Sequence, residues 1–245
     1  MWGINFEAHT RSDMLLVLGG VLLAEVIIHK VPGLSVPFRR LYTFLHEAGH
    51  AVAIVLTGGS VKGFRVHRNP TDGQAGVTNP LDLEWNPVVV LPAGYVGPAL
   101  FSAGLVLLSS LPYLAPYTVG ALGVLFIVVT ISFSYWRSCF TMLLGLSVGI
   151  LFIGVAWQPN LLFAVFLLNL VAVEIGLQSM LEYLELAGLV QEQESEEQDD
   201  ASKMASLFKH WPLRKPMFWV NVWKLISVVS VLAAIWFTWF RRIPD

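Results

Sequence analysis

Two histidines and a glutamate lie close together in an otherwise apolar stretch of the chain. His46, Glu47 and His50 form the pattern H-E-x-x-H between Leu45 and Ala51. On a helix, side chains four residues apart lie on the same face, one turn from each other. Two imidazoles in this arrangement can bind one divalent metal ion, for which Zn²⁺ is the best match. Glu47 lies beside them and can accept a proton from a metal-bound water.

The composition places this motif in a membrane protein. Hydrophobic residues make up 56% of the 245 residues and charged residues only 13%, which is too apolar for an ordinary soluble domain. The formal net charge of −2 argues against a nucleic-acid partner. Cys139 is the only cysteine, which excludes an internal disulfide and a cysteine-based zinc site. We therefore predict an integral, multi-pass helical protein that is embedded in a lipid bilayer.

Apolar segments along the chain predict about six to seven transmembrane helices. A helix needs about 20 apolar residues to cross the bilayer, with a range of roughly 17–25. The first segment is the weakest, because it is short and contains Glu25, which needs a partner or an interfacial position. Small residues in the third segment, including Gly94 and Gly97, predict close helix packing. The predicted spans are residues 14–29, 41–57, 87–110, 117–134, 139–156, 161–186 and 217–240.

The segment between the second and third spans is more polar. Residues 61–78 partly alternate apolar and polar side chains around a strong turn signal at 69–73, which predicts a β-hairpin within an insert at residues 60–86. A second polar segment, an acidic loop at residues 190–200, should be solvated. The predicted fold class is thus an all-α polytopic membrane protein with a small β-hairpin after the second helix. We predict one membrane domain over residues 1–245.

Together these motifs resemble the site-2 protease family of intramembrane zinc metalloproteases, and in particular its compact branch without PDZ or CBS domains. The resemblance is strongest in the H-E-x-x-H segment at residues 45–59 and in the Gly-x-x-Gly-Pro pattern at residues 94–98. It implies that His46 and His50 bind Zn²⁺ and that Glu47 is the general base. It also implies that the hairpin lies beside the site and can pair with an unwound substrate strand.

A catalytic zinc ion usually has three protein ligands, so a third ligand is required. Classical members of the family supply an aspartate from a Leu-Asp-Gly segment in a later span, but here the Leu-Asp pair at residues 81–82 comes too early and is followed by leucine. The best candidate is Asp200, whose segment is similar to the Asp-Ala-x-x-x-Ala segment that often precedes the final span of the compact branch. Asp200 also fits an ordinary helix N-cap. Asp199 and Glu174 are the alternatives, and Glu174 could instead pair with a polar group between helices.

The resemblance predicts a zinc metalloendopeptidase that hydrolyses peptide bonds within or near the bilayer. The expected substrate is a membrane protein with a transmembrane segment that unwinds locally, because a helical peptide bond is shielded by its own hydrogen bonds. Two other classes of protein stay open. One is a catalytically inactive membrane scaffold, which a closed zinc site with four ligands would favour. The other is a transporter, although the sequence has no paired halves of the kind that many transporters show.

Overall fold

Helices dominate the fold. The computed structural model describes residues 11–31, 33–66, 76–80, 86–133, 139–158, 161–192 and 199–240. The helices are α1 (Arg11–Lys30), α2 (Ser35–Leu56), α3 (Pro87–Ser109), α4 (Ala115–Phe133), α5 (Cys139–Ala156), α6 (Leu161–Glu192), α7 (Asp200–Ser206) and α8 (Pro216–Ile235). Two strands, β1 (Val61–Val66) and β2 (Gly76–Pro80), follow α2. Each predicted span therefore lies on a helix of its own, and the short α7 lies where the acidic segment ends.

Four of the described helices are long and apolar enough to cross a membrane, namely α3, α4, α6 and α8. Helix α5 is also apolar but shorter over Met142–Ala156. Helix α2 contains Arg39 and Arg40 in addition to the H-E-x-x-H residues, and these charged and polar side chains lower its mean hydropathy. The predicted helical membrane fold is confirmed in this coarse form, whereas the count of six to seven spans stays a prediction.

A small antiparallel sheet packs against α2. Strand β1 pairs with β2 so that Phe64 lies opposite Thr78. Phe64 and Val66 are two residues apart and therefore point to the same face, and both are buried. The ring of Phe64 meets Phe44 of α2 edge-on, with 5.2 Å between the ring centroids. The pairing agrees with the predicted hairpin, but the connection at residues 67–75 lies outside the described residues, so the complete hairpin stays a prediction.

Helix α3 is the element that most of the bundle packs around, since it contacts α2, α6 and α8. It begins at a capped terminus, where the Asn86 side chain accepts a hydrogen bond from the backbone nitrogen of Val88 at 3.1 Å. Ser102 Oγ donates to the carbonyl oxygen of Ala172 on α6 at 2.7 Å, which joins the two helices inside the apolar core. The same helix brings Gly94 against α2 at the level of the H-E-x-x-H residues.

The short helix α7 is fixed at both its cap and its buried face. Asp199 is the N-cap, and its carboxylate accepts hydrogen bonds from the backbone nitrogen of Ser202 at 2.8 Å and from its hydroxyl at 2.7 Å. Ala201, Met204 and Ala205 are buried on the side that faces the bundle. Because α6 continues to its last residue at 192 and α7 starts at residue 200, the predicted acidic loop is helical at both ends.

Candidate metal centre

Three potential metal ligands converge where α2, α3 and α7 meet. The Nε2 atoms of His46 and His50 lie 3.1 Å apart, and His50 Nε2 lies 3.4 Å from Asp200 Oδ2. One ligand atom of each residue lies within 4.8 Å of the other two. Ligand atoms held at about 2.0–2.1 Å by a tetrahedral zinc ion are about 3.3 Å from each other. The spacing of the three side chains therefore fits one tetrahedral metal ion.

A hydrogen bond fixes which nitrogen of His50 faces the cluster. Its Nδ1 lies 2.8 Å from the carbonyl oxygen of Val90 on α3, and a carbonyl oxygen can only accept. The proton of the neutral ring is therefore on Nδ1, and Nε2 keeps the lone pair that a metal needs. The ring of His46 is held differently, because Tyr95 of α3 packs against it at right angles with 4.6 Å between the centroids. Both histidines are thus oriented by α3.

Two glycines allow α2 and α3 to approach closely enough for this. A Cβ atom added to Gly94 would lie 2.6 Å from His46 Nε2 and even closer to His50 Nε2. A Cβ atom added to Gly49 would collide with a backbone carbonyl of α3. In contrast, the nearest contact of a Cβ atom at Gly97 would be a Cα atom 3.9 Å away. The sequence assigned Gly94 to helix packing, and the structure shows that it also leaves the space in front of the two imidazoles.

The structure separates the three predicted candidates for the third ligand. Asp200 lies beside His50, as described above. Asp199 takes the N-cap position that the sequence also offered to Asp200, so its carboxylate is already used by the α7 backbone. Glu174 lies in another group of acidic and imidazole side chains, with Glu25 and His29. Of the three, Asp200 is therefore the residue that the fold brings to the two histidines.

Charges around Asp200 keep its carboxyl group ionised. Burial by itself would raise the pKa of this group, but without a metal ion the doubly protonated form of His50 donates a hydrogen bond to it, and this bond together with the positive charges of that ring and of Lys203 lowers the pKa to about 2. The Nζ atom of Lys203, one turn along α7, lies 3.3 Å from Asp200 Oδ1. At neutral pH the residue is therefore a carboxylate, which is the form that binds a metal.

Glu47 is buried and its carboxylate is bound by the sheet. The Thr78 hydroxyl of β2 lies 2.6 Å from Glu47 Oε2 and 3.0 Å from the Glu47 carbonyl oxygen. A hydroxyl has one proton, so it donates to one of these atoms at a time, and the shorter distance is to the carboxylate. Thr78 could not be identified from the sequence, because the alternating strand pattern does not distinguish it from its neighbours. What pointed toward this region was the expectation, from the family resemblance, that the hairpin lies beside the site.

An aromatic group supports the ring of His46 from the bundle side. Tyr95 stacks on Trp223 of α8 with 5.5 Å between the centroids, and it also lies near Tyr183 of α6. The Tyr183 hydroxyl is 2.8 Å from Ser227 Oγ on α8. The histidine is thus backed by side chains from three helices, all of them packed inside the bundle. Trp223 thus lies behind the site, on the far side of Tyr95 from the ring of His46.

Comparison with known proteins identifies the family. The chain matches the Peptidase M50B-like family over residues 17–234. No curated protein and no solved structure matches the chain. The family match and the four apolar helices that are long enough to span a membrane make the chain an integral, multi-pass membrane protein. As its resemblance to site-2 proteases predicted, the chain belongs to the Peptidase M50B-like family.

Proposed function

We propose that this protein is a zinc metalloendopeptidase that cleaves a membrane protein within or near the bilayer. The observation that supports this most directly is the convergence of ligand atoms from His46, His50 and Asp200. Two imidazoles and one carboxylate are a ligand set of catalytic zinc, and three protein ligands leave the fourth position open for water or substrate. Membership of the Peptidase M50B-like family suggests the same class of enzyme.

The chemistry that zinc supplies when it is bound is Lewis acidity, which polarises the scissile carbonyl and makes water a better nucleophile at neutral pH. Glu47 is the proposed general base, which accepts a proton from the attacking water and passes it to the leaving amine. Thr78 donates to Oε2 of Glu47, and this hydrogen bond leaves Oε1 available for the water. A carboxylate that is held at one oxygen has fewer orientations, so less entropy is lost in the transition state.

The proposed substrate is a membrane protein whose transmembrane segment unwinds locally, since a helical peptide bond is protected by its own hydrogen bonds. The small sheet supports this part of the proposal. Thr78 of β2 contacts the carboxylate of Glu47, so the sheet lies directly at the general base. An extended substrate segment that added to this sheet as a further strand would therefore lie close to the reacting groups.

Two other functions are less well supported. A scaffold that keeps zinc for structure alone needs a closed set of four ligands, whereas the group at His46 contains three within the described part of the chain. Family membership favours a peptidase over a transporter. A set of three ligands leaves the fourth position of zinc open, which favours a catalytic role over the other two.

Replacing Glu47 with Gln tests the proposal. The purified full-length protein is reconstituted in lipid vesicles with a labelled single-span membrane protein, and both cleavage and bound zinc are measured. We expect Glu47→Gln to lower cleavage by about 10²–10⁴-fold, because a general base contributes that much, and to keep its zinc. The control is Glu185→Gln, which makes the same substitution at an exposed position of α6 and should cleave normally. Cleavage by Glu47→Gln at the normal rate would disprove the assigned role.

A further inference from the structure

A second group of potential metal ligands lies between α1 and α6. Glu25 and His29 of α1 and Glu174 of α6 each offer one ligand atom, and these three atoms lie within 4.8 Å of one another. None of the three residues belongs to the H-E-x-x-H site. In the sequence, Glu25 was noted as an acidic residue that needs a partner and Glu174 as an alternative third zinc ligand, and the proposed peptidase chemistry uses neither of them.

Glu25 occupies a position at which an apolar side chain would be expected. The buried residues of α1 form one stripe, which faces α6 and consists of Val17, Val21, Glu25 and Ile28. The neighbouring side chains that point away from α6 are exposed and apolar. A carboxylate in such a stripe loses its hydration, so it needs either a bound cation or a proton to be tolerated there.

Three carboxylate oxygens of this group are buried and accept no hydrogen bond when both acids are ionised. They are both oxygens of Glu25 and Oε2 of Glu174. Glu174 is completely buried and Glu25 is 8% exposed. The other Glu174 oxygen, Oε1, accepts a hydrogen bond from Gln178 Nε2 at 3.0 Å. Among the described residues, the one basic side chain that pairs with either carboxylate is His29, whose Nδ1 lies 3.6 Å from Glu25 Oε2. The two acids and the imidazole thus bring one ligand atom each to within 4.8 Å of the others, with buried carboxylate oxygens among them.

A cation satisfies this arrangement better than a proton does. One proton shared between the two carboxyl groups would give a hydrogen bond to one oxygen of each and would leave one negative charge unbalanced, and the other Glu25 oxygen would have at most the His29 ring, whose Nδ1 lies 3.6 Å from Oε2. A divalent cation can contact both carboxylates and balance both charges. A set of two carboxylates and one imidazole combines the ligands that Mn²⁺ prefers with those that Zn²⁺ prefers. We propose that Glu25, His29 and Glu174 form a second divalent-cation site, which ties α1 to α6.

His29 provides the route by which an ion can enter. Its side chain is 42% exposed, whereas that of Glu25 is 10% exposed. The imidazole therefore lies at the surface and the carboxylates lie behind it. His29 Nδ1 also lies 3.0 Å from the backbone carbonyl oxygen of Glu25, to which it can donate. An ion that binds through Nδ1 replaces this hydrogen bond, which is part-buried and joins residues only one turn apart.

The metal-to-protein ratio of the full-length protein in detergent tests the proposal. Metal is removed with a chelator, the protein is dialysed against Zn²⁺ or, separately, Mn²⁺, and bound metal is counted. We expect a ratio of two for the unsubstituted protein, one for Glu174→Gln, and one for the double variant His46→Ala with His50→Ala. The variant that carries all three substitutions should bind no metal. The control is Glu185→Gln, an exposed position on the same helix, which should keep the ratio of two.

A second measurement guards against a variant that fails to fold. His29→Ala changes an exposed side chain, so it should fold normally and bind metal at this site at least tenfold more weakly. In the His46→Ala, His50→Ala background, added metal should raise the midpoint of thermal unfolding, and Glu174→Gln should abolish this rise. A ratio of one that falls to zero in the double histidine variant would overturn the proposal, as would a ratio of two in Glu174→Gln. Loss of the first site alone would count against the proposed peptidase and leave this second site intact.

Discussion

The two groups of potential ligands are similar in composition, but they differ in how completely their polar atoms are bonded. At the first site, His50 donates to a backbone carbonyl and Glu47 accepts from Thr78, and Nδ1 of His46 is the buried atom that has no hydrogen bond in the described part of the site. At the second, three carboxylate oxygens of Glu25 and Glu174 accept no hydrogen bond when both acids are ionised. Hydrogen bonds within the protein therefore orient the side chains of the first site, whereas the charges of the second group must be balanced by what binds there. Such a difference is expected between the proposed catalytic site, whose geometry must be fixed in advance, and the proposed second cation site, which would stabilise the fold.

The difference follows from the number of elements that build each site. The first site is formed where α2, α3 and α7 meet, and the sheet adds a hydroxyl group from a fourth direction. Each of these elements can supply a backbone or side-chain partner to the ligands. The second site lies in the contact of one helix pair, α1 and α6, in which the surrounding side chains are apolar. Fewer partners are available there, so the buried carboxylates need either a proton or, as we propose, a cation.

The largest effect that separates the two sites is expected from Gly94→Ala. The added Cβ atom would lie within 2.6 Å of His46 Nε2, so the imidazoles cannot keep their positions. We expect zinc to be lost from the first site alone, which lowers the metal-to-protein ratio by one, and cleavage to fall by at least about 10³-fold. Gly97→Ala is the matched control, because a Cβ atom there meets its nearest neighbour at 3.9 Å. Full zinc binding by Gly94→Ala would contradict the geometry of the site.

A smaller effect is expected at the start of α7, where two adjacent aspartates have different partners. Asp200→Asn removes the charge beside His50 and should weaken zinc binding at the first site by at least about 100-fold. This loss is larger than the one expected for a residue that only forms a hydrogen bond to a metal ligand. Asp199→Asn should leave zinc affinity unchanged, because asparagine is as good an N-cap as aspartate. The measurement is competition for Zn²⁺ with a chelator of known affinity. Equal zinc affinities of the two variants would remove Asp200 from the ligand set.

The sequence was sufficient to predict part of the first site and most of the helices. The spacing of His46, Glu47 and His50 is local, so the sequence alone identifies the set. Asp200 could be proposed because its segment is similar to one in the family, but the sequence could not decide which of two neighbouring aspartates caps α7. The hydrogen bond between the Asp199 side chain and the backbone decides that. The helices were predictable from their apolar runs, whereas the number that crosses the membrane depends on α1, α2 and α5, which are not among the four helices that are long and apolar enough to span it.

The remaining partners could not be predicted, because they come from distant parts of the chain. Val90 lies 40 residues from His50 and Thr78 lies 31 residues from Glu47, and no periodic pattern connects them. The residues of the second group also come from distant parts of the chain. Glu25 and Glu174 each needed a partner inside an apolar segment, but only the packing of α1 against α6 shows that they face each other. Sequence patterns thus predict which polar residues need partners, and the fold determines what those partners are.

The smallest effect is expected from Thr78→Val, which removes a hydroxyl group and keeps the shape of the side chain. Thr78 donates to the Glu47 carboxylate at 2.6 Å, and a hydrogen bond to a charged group contributes about 1.5–3 kcal/mol. We expect kcat to fall roughly 10–100-fold, with KM and bound zinc unchanged, because Thr78 positions the base and contacts no ligand of the metal. Thr78→Ser keeps the hydroxyl and should retain most of the activity. If the valine and serine variants lowered kcat equally, the Thr78 side chain would act through strand packing. The hydrogen bond from Thr78 would then not be what orients the Glu47 carboxylate at the first site.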